Sequence, residues 1–335
     1  MEGLLQKKVN SSVKLIHLTH PHEQNKLELP PTVMALGFFD GIHLGHQCVI
    51  RTAKKIADER GYKSAVMTFH PHPSVVLGKK DAHVEYITPM RDKEKIVESL
   101  GIDILYVIKF DESFAGLLPQ QFVDDYIIGL NVKHVVAGFD YSYGRLGKGK
   151  METLPFHARG EFTQTVIEKV EFQEEKVSST ALRKLIRNGE MEQIPSILGR
   201  AYTVAGTVIH GDKRGRQIGF PTANVGLSDE YLLPPVGVYA VRLKVHDEWY
   251  DGVCNIGYKP TFKEDERQLS IEVHLFEFNK DIYDQNVTVE WHMRIRAEKK
   301  FNGIDELVEQ IAKDKKTAQE YFMSEKNILA FSNEK

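Results

Sequence analysis

The segment "GFFDGIHLGH", Gly37 to His46, sets two imidazoles, His43 and His46, three residues apart in a stretch that Gly37, Gly41 and Gly45 strip of most other side chains. It follows the apolar run "TVMAL" and precedes residues whose Val49, Ala53, Ile56 and Ala57 recur on one helical face. A turn from a parallel strand into a helix presents unpaired N–H groups, and glycine lets a phosphate come close to the backbone there. Two imidazoles three residues apart share one side of the first helical turn and can donate to the oxygens of a phosphate that is gaining charge. The stretch holds no obvious covalent nucleophile, so direct displacement at the α-phosphate of a nucleoside triphosphate is the simplest chemistry it supports. A zinc site built from His43, His46, His70 and His72 is the competing reading. "FHPHP", however, holds His70 and His72 between prolines in an extended turn, an unusual setting for a ligand pair.

The elements around this turn alternate. "TVMALGFF", "KSAVMTF", "IDILYVIKF" and "VKHVVAGF" read as buried strands, and the helical segments between them include Gln47 to Arg60 (closed by Gly61), "PMRDKEKIVESLG" and "LPQQFVDDYIIGLN". That order predicts an α/β domain with a parallel sheet covered by helices and ligands at the carboxyl ends of the strands. After about residue 200, "YTVAGTVIHG", "GVYAVRLKV", "EWYDGVCNIG", "LSIEVHLFEF" and "NVTVEWHMRIR" follow one another with turn residues between, and "IDELVEQIAKDKKTAQEYF" ends the run as a helix. This predicts a small antiparallel β-barrel with a capping helix. The Pro-interrupted "EMEQIPSILGRAY" marks the boundary, giving domains 15–186 and 187–335.

Composition agrees with this division and narrows the partners. At 335 residues the chain exceeds what one core usually holds, and 41% hydrophobic with 27% charged residues is an ordinary globular balance. Neither a signal-peptide core nor a membrane-length apolar run is present, so a cytoplasmic protein with no membrane partner is expected. Cys48 and Cys254 are the two cysteines, too few and too distant for a disulfide framework or a thiolate metal cluster. With 44 basic against 47 acidic residues, no nucleic-acid-binding surface is expected and phosphate recognition must be local.

The opening segment resembles the HxGH signature of nucleotidyltransferases, in the GxFDGxHxGH form of the flavin adenylyltransferase branch. "GFDYSYGRLGKG" (Gly138 to Gly149) resembles that branch's second loop, and "VSSTALRKLIRNGE" (Val177 to Glu190) its ISSTxxR motif. The resemblance implies a Rossmann-like fold in which Gly37, Phe38, Asp40, Gly41 and Gly45 line the ATP phosphates beside His43 and His46. It also implies that Ser178, Ser179, Thr180 and Arg183 bind phosphate. Ser178 to Thr180 can cap a helix as a backbone nest, with Arg183 one turn on to clamp the β- and γ-phosphates. Through the same resemblance His72, Asp140 and Tyr143 become flavin or nucleotide contacts. "GRLGKGK" lacks the GxxxxGK[ST] spacing and reads as a glycine-basic loop.

The second half resembles riboflavin kinases. "GTVIHGDKRGRQIGFPTANV" (Gly206 to Val225) matches their glycine-basic loop and PTAN segment, and "SIEVHLFEFNKDIYDQ" matches the strand that carries the catalytic carboxylate, here Glu272. Thr222 and Asn224 offer a hydroxyl and an amide oxygen, hard ligands suited to Mg²⁺ on ATP phosphates. Gly211, Lys213, Gly215, Arg216 and Gly219, with Arg214, would cover those phosphates. Glu272 would take the proton from the riboflavin 5′-hydroxyl. Strand alternation puts Glu272 and His274 on one face, and alternation alone leaves that face in water. "GVCNIGYKPTF" and "RIRAEKKF" also resemble family segments but depart from them: Cys254 stands where alanine is usual, Lys259 for asparagine and Ala297 for aspartate. Taken together, the chain resembles bacterial bifunctional riboflavin kinases/FAD synthetases. The family's activity implies riboflavin, ATP and FMN as substrates, FMN and FAD as products, and Mg²⁺ as the metal. Two other classes stay open: a flavin sensor with dead sites, which would lose Glu272 or His46, and a transferase with one working domain.

Overall fold

The five residues Thr32–Leu36 are all buried, and their alternate side chains feed two different cores. Val33 and Ala35 pack with Val49, Ile50, Ala53 and Ala57 of the helix Leu44–Arg60, while Met34 and Leu36 join Met67, Tyr106, Phe114 and Tyr126 on the other face. A strand buried on both faces in this way belongs to a parallel sheet covered by helices.

The computed structural model describes residues 12–78, 84–172, 175–211, 213–259 and 268–333. The chain forms two units, Met1–Ser179 and Thr180–Lys335. Among the described residues the first unit contains β1 (Lys14–Leu18), β2 (Thr32–Leu36), β3 (Lys63–His70), β4 (Ile104–Lys109), β5 (Val132–Gly138), β6 (Ser142–Tyr143), β7 (Gly149–Lys150), β8 (Thr163–Ile167), β9 (Glu171–Phe172) and β10 (Glu175–Lys176). Six of these form a parallel sheet in the order β1-β4-β3-β2-β5-β8, and β6/β7 and β9/β10 are separate antiparallel pairs. The four strands expected from sequence form its centre. β1 and β8 extend it at the edges, where half-exposed residues give little apolar periodicity. The segment "LPQQFVDDYIIGLN" is less regular than expected: an α-helical turn, Pro119–Phe122, runs into a π-helix, Val123–Ile128.

From β2 the chain moves outward through β3 to β4, then returns to lay β5 on the other side of β2. The sheet order therefore reverses between β2 and β5. At such a switch point the loops leaving the strand ends diverge and leave a crevice. The loop leaving β2 is the glycine–histidine segment.

The second unit holds β11 (Tyr202–Ile209), β12 (Ala223–Leu227), β13 (Gly237–Val245), β14 (Glu248–Lys259), β15 (Gln268–Leu275) and β16 (Asn286–Arg296), closed as a barrel in the order β11-β12-β15-β14-β13-β16 with every pairing antiparallel. Closure removes both sheet edges. β12 is a strand the sequence reading did not separate from the loop before it. The helix Ile304–Asn333 covers one outer face, with Ala318 and Phe322 against Val238, Ala240 and Val253. Met191–Gln193 and the helix Ile194–Leu198 pack on β16 and β11.

Candidate functional sites

At the end of β2 the backbone turns through conformations that few side chains tolerate. Gly41 has φ 89°, and Phe39 (φ 56°) and Ile42 (φ 43°) occupy the left-handed region without being glycine. Several contacts hold them there. The Phe38 carbonyl accepts from Lys93 Nζ (2.7 Å) and Thr68 Oγ1 (2.8 Å); Asp40, buried, accepts on Oδ1 from the Ile87 and Thr88 N–H groups (3.0 Å each); Ser179 Oγ donates to the Asp40 carbonyl (2.8 Å); and Gln47 Nε2 donates to the Ile42 carbonyl (3.0 Å). Asp40 thus builds the turn from within.

His43 caps the helix Leu44–Arg60, its Nδ1 accepting the His46 N–H at 3.2 Å. An Nδ1 that accepts is unprotonated, so the neutral ring carries its proton on Nε2. The His43 and His46 rings stack, centroids 3.6 Å apart and 18° from parallel. A Cβ on Gly45 would come within 3.2 Å of the His43 ring, so glycine there gives the ring its place. Burial, then the neighbouring His43, then the Lys93 charge hold His46 well below the usual imidazole range, leaving it neutral at pH 7.

Lys93 is the residue that sequence reading missed. It lies on the helix Met90–Ser99 four positions before Val97, on the face turned inward, and its amine is 4.6 Å from the Phe38 ring centre. Burial brings it down to about 8, against the pull of Asp40. A lysine in register with the apolar stripe was the available signal.

The other predicted residues of this unit divide. His72 stands edge-on to the Phe38 ring at 4.5 Å and caps the turn Pro73–Leu77, its Nδ1 accepting the Ser74 N–H. Ser178 and Ser179 adjoin the turn through the Ser179 hydrogen bond, and Thr180 and Arg183 lie on the helix Ser179–Asn188, which spans the division between the units. Asp140 accepts from Lys176 Nζ at 2.6 Å on the surface. Tyr143 is a core side chain, packed on Phe122 with its hydroxyl on His157 Nδ1 (2.8 Å).

In the barrel, strand register assembles the second site. Glu272 on β15 is paired with Asn224 on β12 and with Asn255 on β14, and directly paired residues project from the same face. Asn224 is buried, and a Cβ on Gly211 would lie 2.3 Å from its Nδ2, so Gly211 leaves the space the amide fills. Gly211, Lys213, Gly215, Arg216 and Gly219 form a loop around the short helix Arg214–Gln217, closed by Phe220 N–H on the Gly215 carbonyl (2.8 Å). Beside it a cavity of about 400 Å³ is lined by Arg216, Thr222, Ala223, Val273, Asp281 and Tyr283, among others. Lys213 Nζ lies 5.8 Å from the Tyr283 ring, and His210 packs on the same ring at 4.1 Å. The side chains of Arg214 and Lys259, and residues 260–262 of "GVCNIGYKPTF", fall outside what the structure describes.

One expectation is corrected. Glu272 is half-buried, and His274 is buried between Phe220 and Phe276 instead of standing in water. Residues distant in sequence cover the face that alternation left open. Cys254 faces the opposite way and is fully buried, its thiol pushed up by burial and by Glu272. Asn224 beside Glu272, with the Thr222 hydroxyl two residues before it at the cavity wall, offers oxygen donors of the kind a hard divalent cation takes. Among the described residues no group of three or more His, Cys, Asp or Glu could hold a metal.

The model of the FAD synthetase family matches residues 25–181 and that of riboflavin kinase residues 198–322. A bifunctional riboflavin kinase/FMN adenylyltransferase of Bacillus subtilis is 57% identical over 311 residues, covering 92% of this chain and 98% of that one. Its counterpart in Listeria monocytogenes is 48% identical over 310 residues, with coverage of 92% and 98%. A crystal structure described as a macrolide-efflux protein from Streptococcus pneumoniae has the same fold, with a TM-score of 0.82 at 34% identity over 92% of this chain and 99% of that one. No helix among the described residues is long and apolar enough to cross a membrane. With both family models matched in order along relatives aligned over nearly their full length, the chain belongs to the bifunctional riboflavin kinase/FMN adenylyltransferase family.

Proposed function

We propose that the chain converts riboflavin to FAD in two steps, phosphorylation in the barrel and adenylylation at the β2–β5 crevice. The observation that carries this reading is that each of two separate folds brings its own motif residues together: stacked imidazoles at a helix start in one, Asn224 paired with Glu272 in the other.

In the first step Glu272 takes the proton of the riboflavin 5′-hydroxyl as that oxygen bonds to the γ-phosphorus of ATP and the β–γ bridge breaks to give FMN and ADP. Lys213 and Arg216 steady the phosphates from the loop above. Thr222 and Asn224 would hold Mg²⁺, which when bound neutralises phosphate charge. In the second step a phosphate oxygen of FMN bonds to the α-phosphorus of a second ATP, and the α–β bridge breaks to release pyrophosphate. His43 donates from Nε2 and His46 as a neutral imidazole to the oxygens gaining charge, and the helix N–H groups of the turn add their dipoles. In this reading Ser178, Ser179, Thr180 and Arg183 take the leaving phosphates, and His72 and Asp140 contact the substrates. Tyr143, enclosed in the core, acts by shaping its loop.

Incubation with riboflavin, ATP and Mg²⁺, followed by separation of the flavins, tests the reading. FMN appearing first and FAD after it is the expected course. Formation of neither product rejects the function, and FMN without FAD reduces it to the kinase alone.

A further inference from the structure

The His274 imidazole bridges two elements that the phosphorylation chemistry needs and is itself outside that chemistry. It lies on β15 two residues from Glu272, and its Nδ1 is 2.8 Å from the carbonyl oxygen of Pro221, 53 residues earlier in the chain. A carbonyl can only accept, so Nδ1 carries the proton and the neutral ring's Nε2 has none. Nε2 is buried and has no partner. The ring therefore makes one directed hydrogen bond. The Phe220 ring packs edge-on against the imidazole, centroids 5.4 Å apart at 76°, and the Phe220 N–H closes the loop on Gly215. His274 thus holds both residues that lead into Thr222 and Asn224, at the point where the glycine-basic loop becomes β12. Burial holds the imidazole below its usual range, against the opposing pull of the Pro221 hydrogen bond and with help from the Lys315 charge, which favours the neutral donor.

We propose that His274 is a positioning residue of the kinase site: through the Pro221 carbonyl it fixes the start of β12, and with it the placement of Thr222 and Asn224 against Glu272. This rests on the reading of the barrel as a riboflavin kinase. The side chain spends its one hydrogen bond on the Pro221 backbone and is given no role in the transfer itself. Its effect is geometric, and misplacement of a reacting group by about 1 Å is enough for a loss on the order of 10²-fold.

The test uses the full chain and three substitutions. His274→Phe keeps the ring and removes the donor; His274→Asn returns an N–H near the Nδ1 position; His274→Gln carries its N–H nearer the place of Nε2. Two quantities are read: kcat for riboflavin phosphorylation, and the Kd of Mg²⁺·ADP by calorimetry, which needs no turnover. The Phe and Gln variants should lose about 10- to 100-fold in kcat and bind Mg²⁺·ADP several-fold more weakly, with the Asn variant recovering most of both. FMN adenylylation in each variant monitors the rest of the chain. Wild-type kcat and Kd in the Phe variant would overturn the proposal, and so would equal losses in Asn and Phe. A variant that does not fold leaves the Asn–Gln comparison to decide. If the unsubstituted protein forms no FMN, it is the assignment of the barrel that fails, a result separate from these.

Discussion

Two imidazoles stacked at 3.6 Å repel if both are charged, and the neighbouring Lys93 ammonium adds a third positive centre. If this pair serves adenylyl transfer as proposed, it does so as neutral N–H donors, aimed rather than charged. Loss of one such donor costs on the order of 10²-fold in rate. His43→Ala and His46→Ala should each slow FAD formation from supplied FMN by about that much, with riboflavin phosphorylation unchanged. Normal FAD synthesis in both variants would make the turn purely structural. Lys93 allows a different check. Its folded-state amine titrates near 8, and in the unfolded chain it titrates near 10.4, so between these values the unfolded chain binds more protons and stability rises with pH. The contribution is on the order of 3 kcal/mol across that window. Lys93→Met removes it: the rise in denaturant-unfolding stability between about pH 8 and about pH 10 should be shallower in the variant. Parallel pH dependences in the two proteins would show that the amine is not buried as a cation.

At the scale of elements, register is what sets the half-exposed Glu272 beside Asn224, the pair read here as base and metal ligand. Glu272 faces Asn224 because β15 and β12 pair antiparallel at that position, and a slip by one residue would send it into the barrel interior. Glu272→Gln keeps the size and the pairing and removes the base. It should abolish FMN formation while FAD formation from FMN continues, and FMN produced at the normal rate would remove Glu272 from the mechanism. The same scale explains what the sequence disclosed. β2 to β5 and five of the six barrel strands were legible because they carry buried apolar residues with clear periods, whereas β12 was hidden in the loop motif; the motif residues were legible because glycine, histidine and the PTAN segment are chemically distinctive. β1 and β8 were not, since edge strands pair on one side and "KLIHL" and "TQTVI" are half in water. Lys93 and His274 escaped for another reason. Each acts through a backbone carbonyl of a remote loop, Phe38 in one case and Pro221 in the other, and no local pattern encodes that partner.

At the scale of the whole chain, the residues read for adenylylation end at Arg183 and those for phosphorylation begin after Tyr202, so the two activities should be separable. Where to cut follows from packing. Met191, Ile194 and Leu198 are buried, and their segment lies on β11 and β16. A fragment beginning at Thr180 or Arg187 keeps these side chains and should fold and form FMN without FAD. A fragment beginning at Arg200 exposes the barrel wall they cover, at about 1.5–3 kcal/mol per side chain, and should be markedly less stable. Equal unfolding midpoints for the fragments from Arg187 and Arg200 would show that the segment adds nothing to the barrel.

The hydrogen bond from Ser179 to the Asp40 carbonyl joins residues 139 positions apart. It has a consequence during synthesis, when domains fold as units from the N-terminus onward. The turn that carries His43 and His46 emerges early, but the serine that steadies it emerges only after the whole sheet has been made. A nascent chain therefore holds this turn without its Ser179 hydrogen bond for most of the first unit's translation. The serine is made before β11, so each ribosome can complete the histidine turn before it starts the barrel.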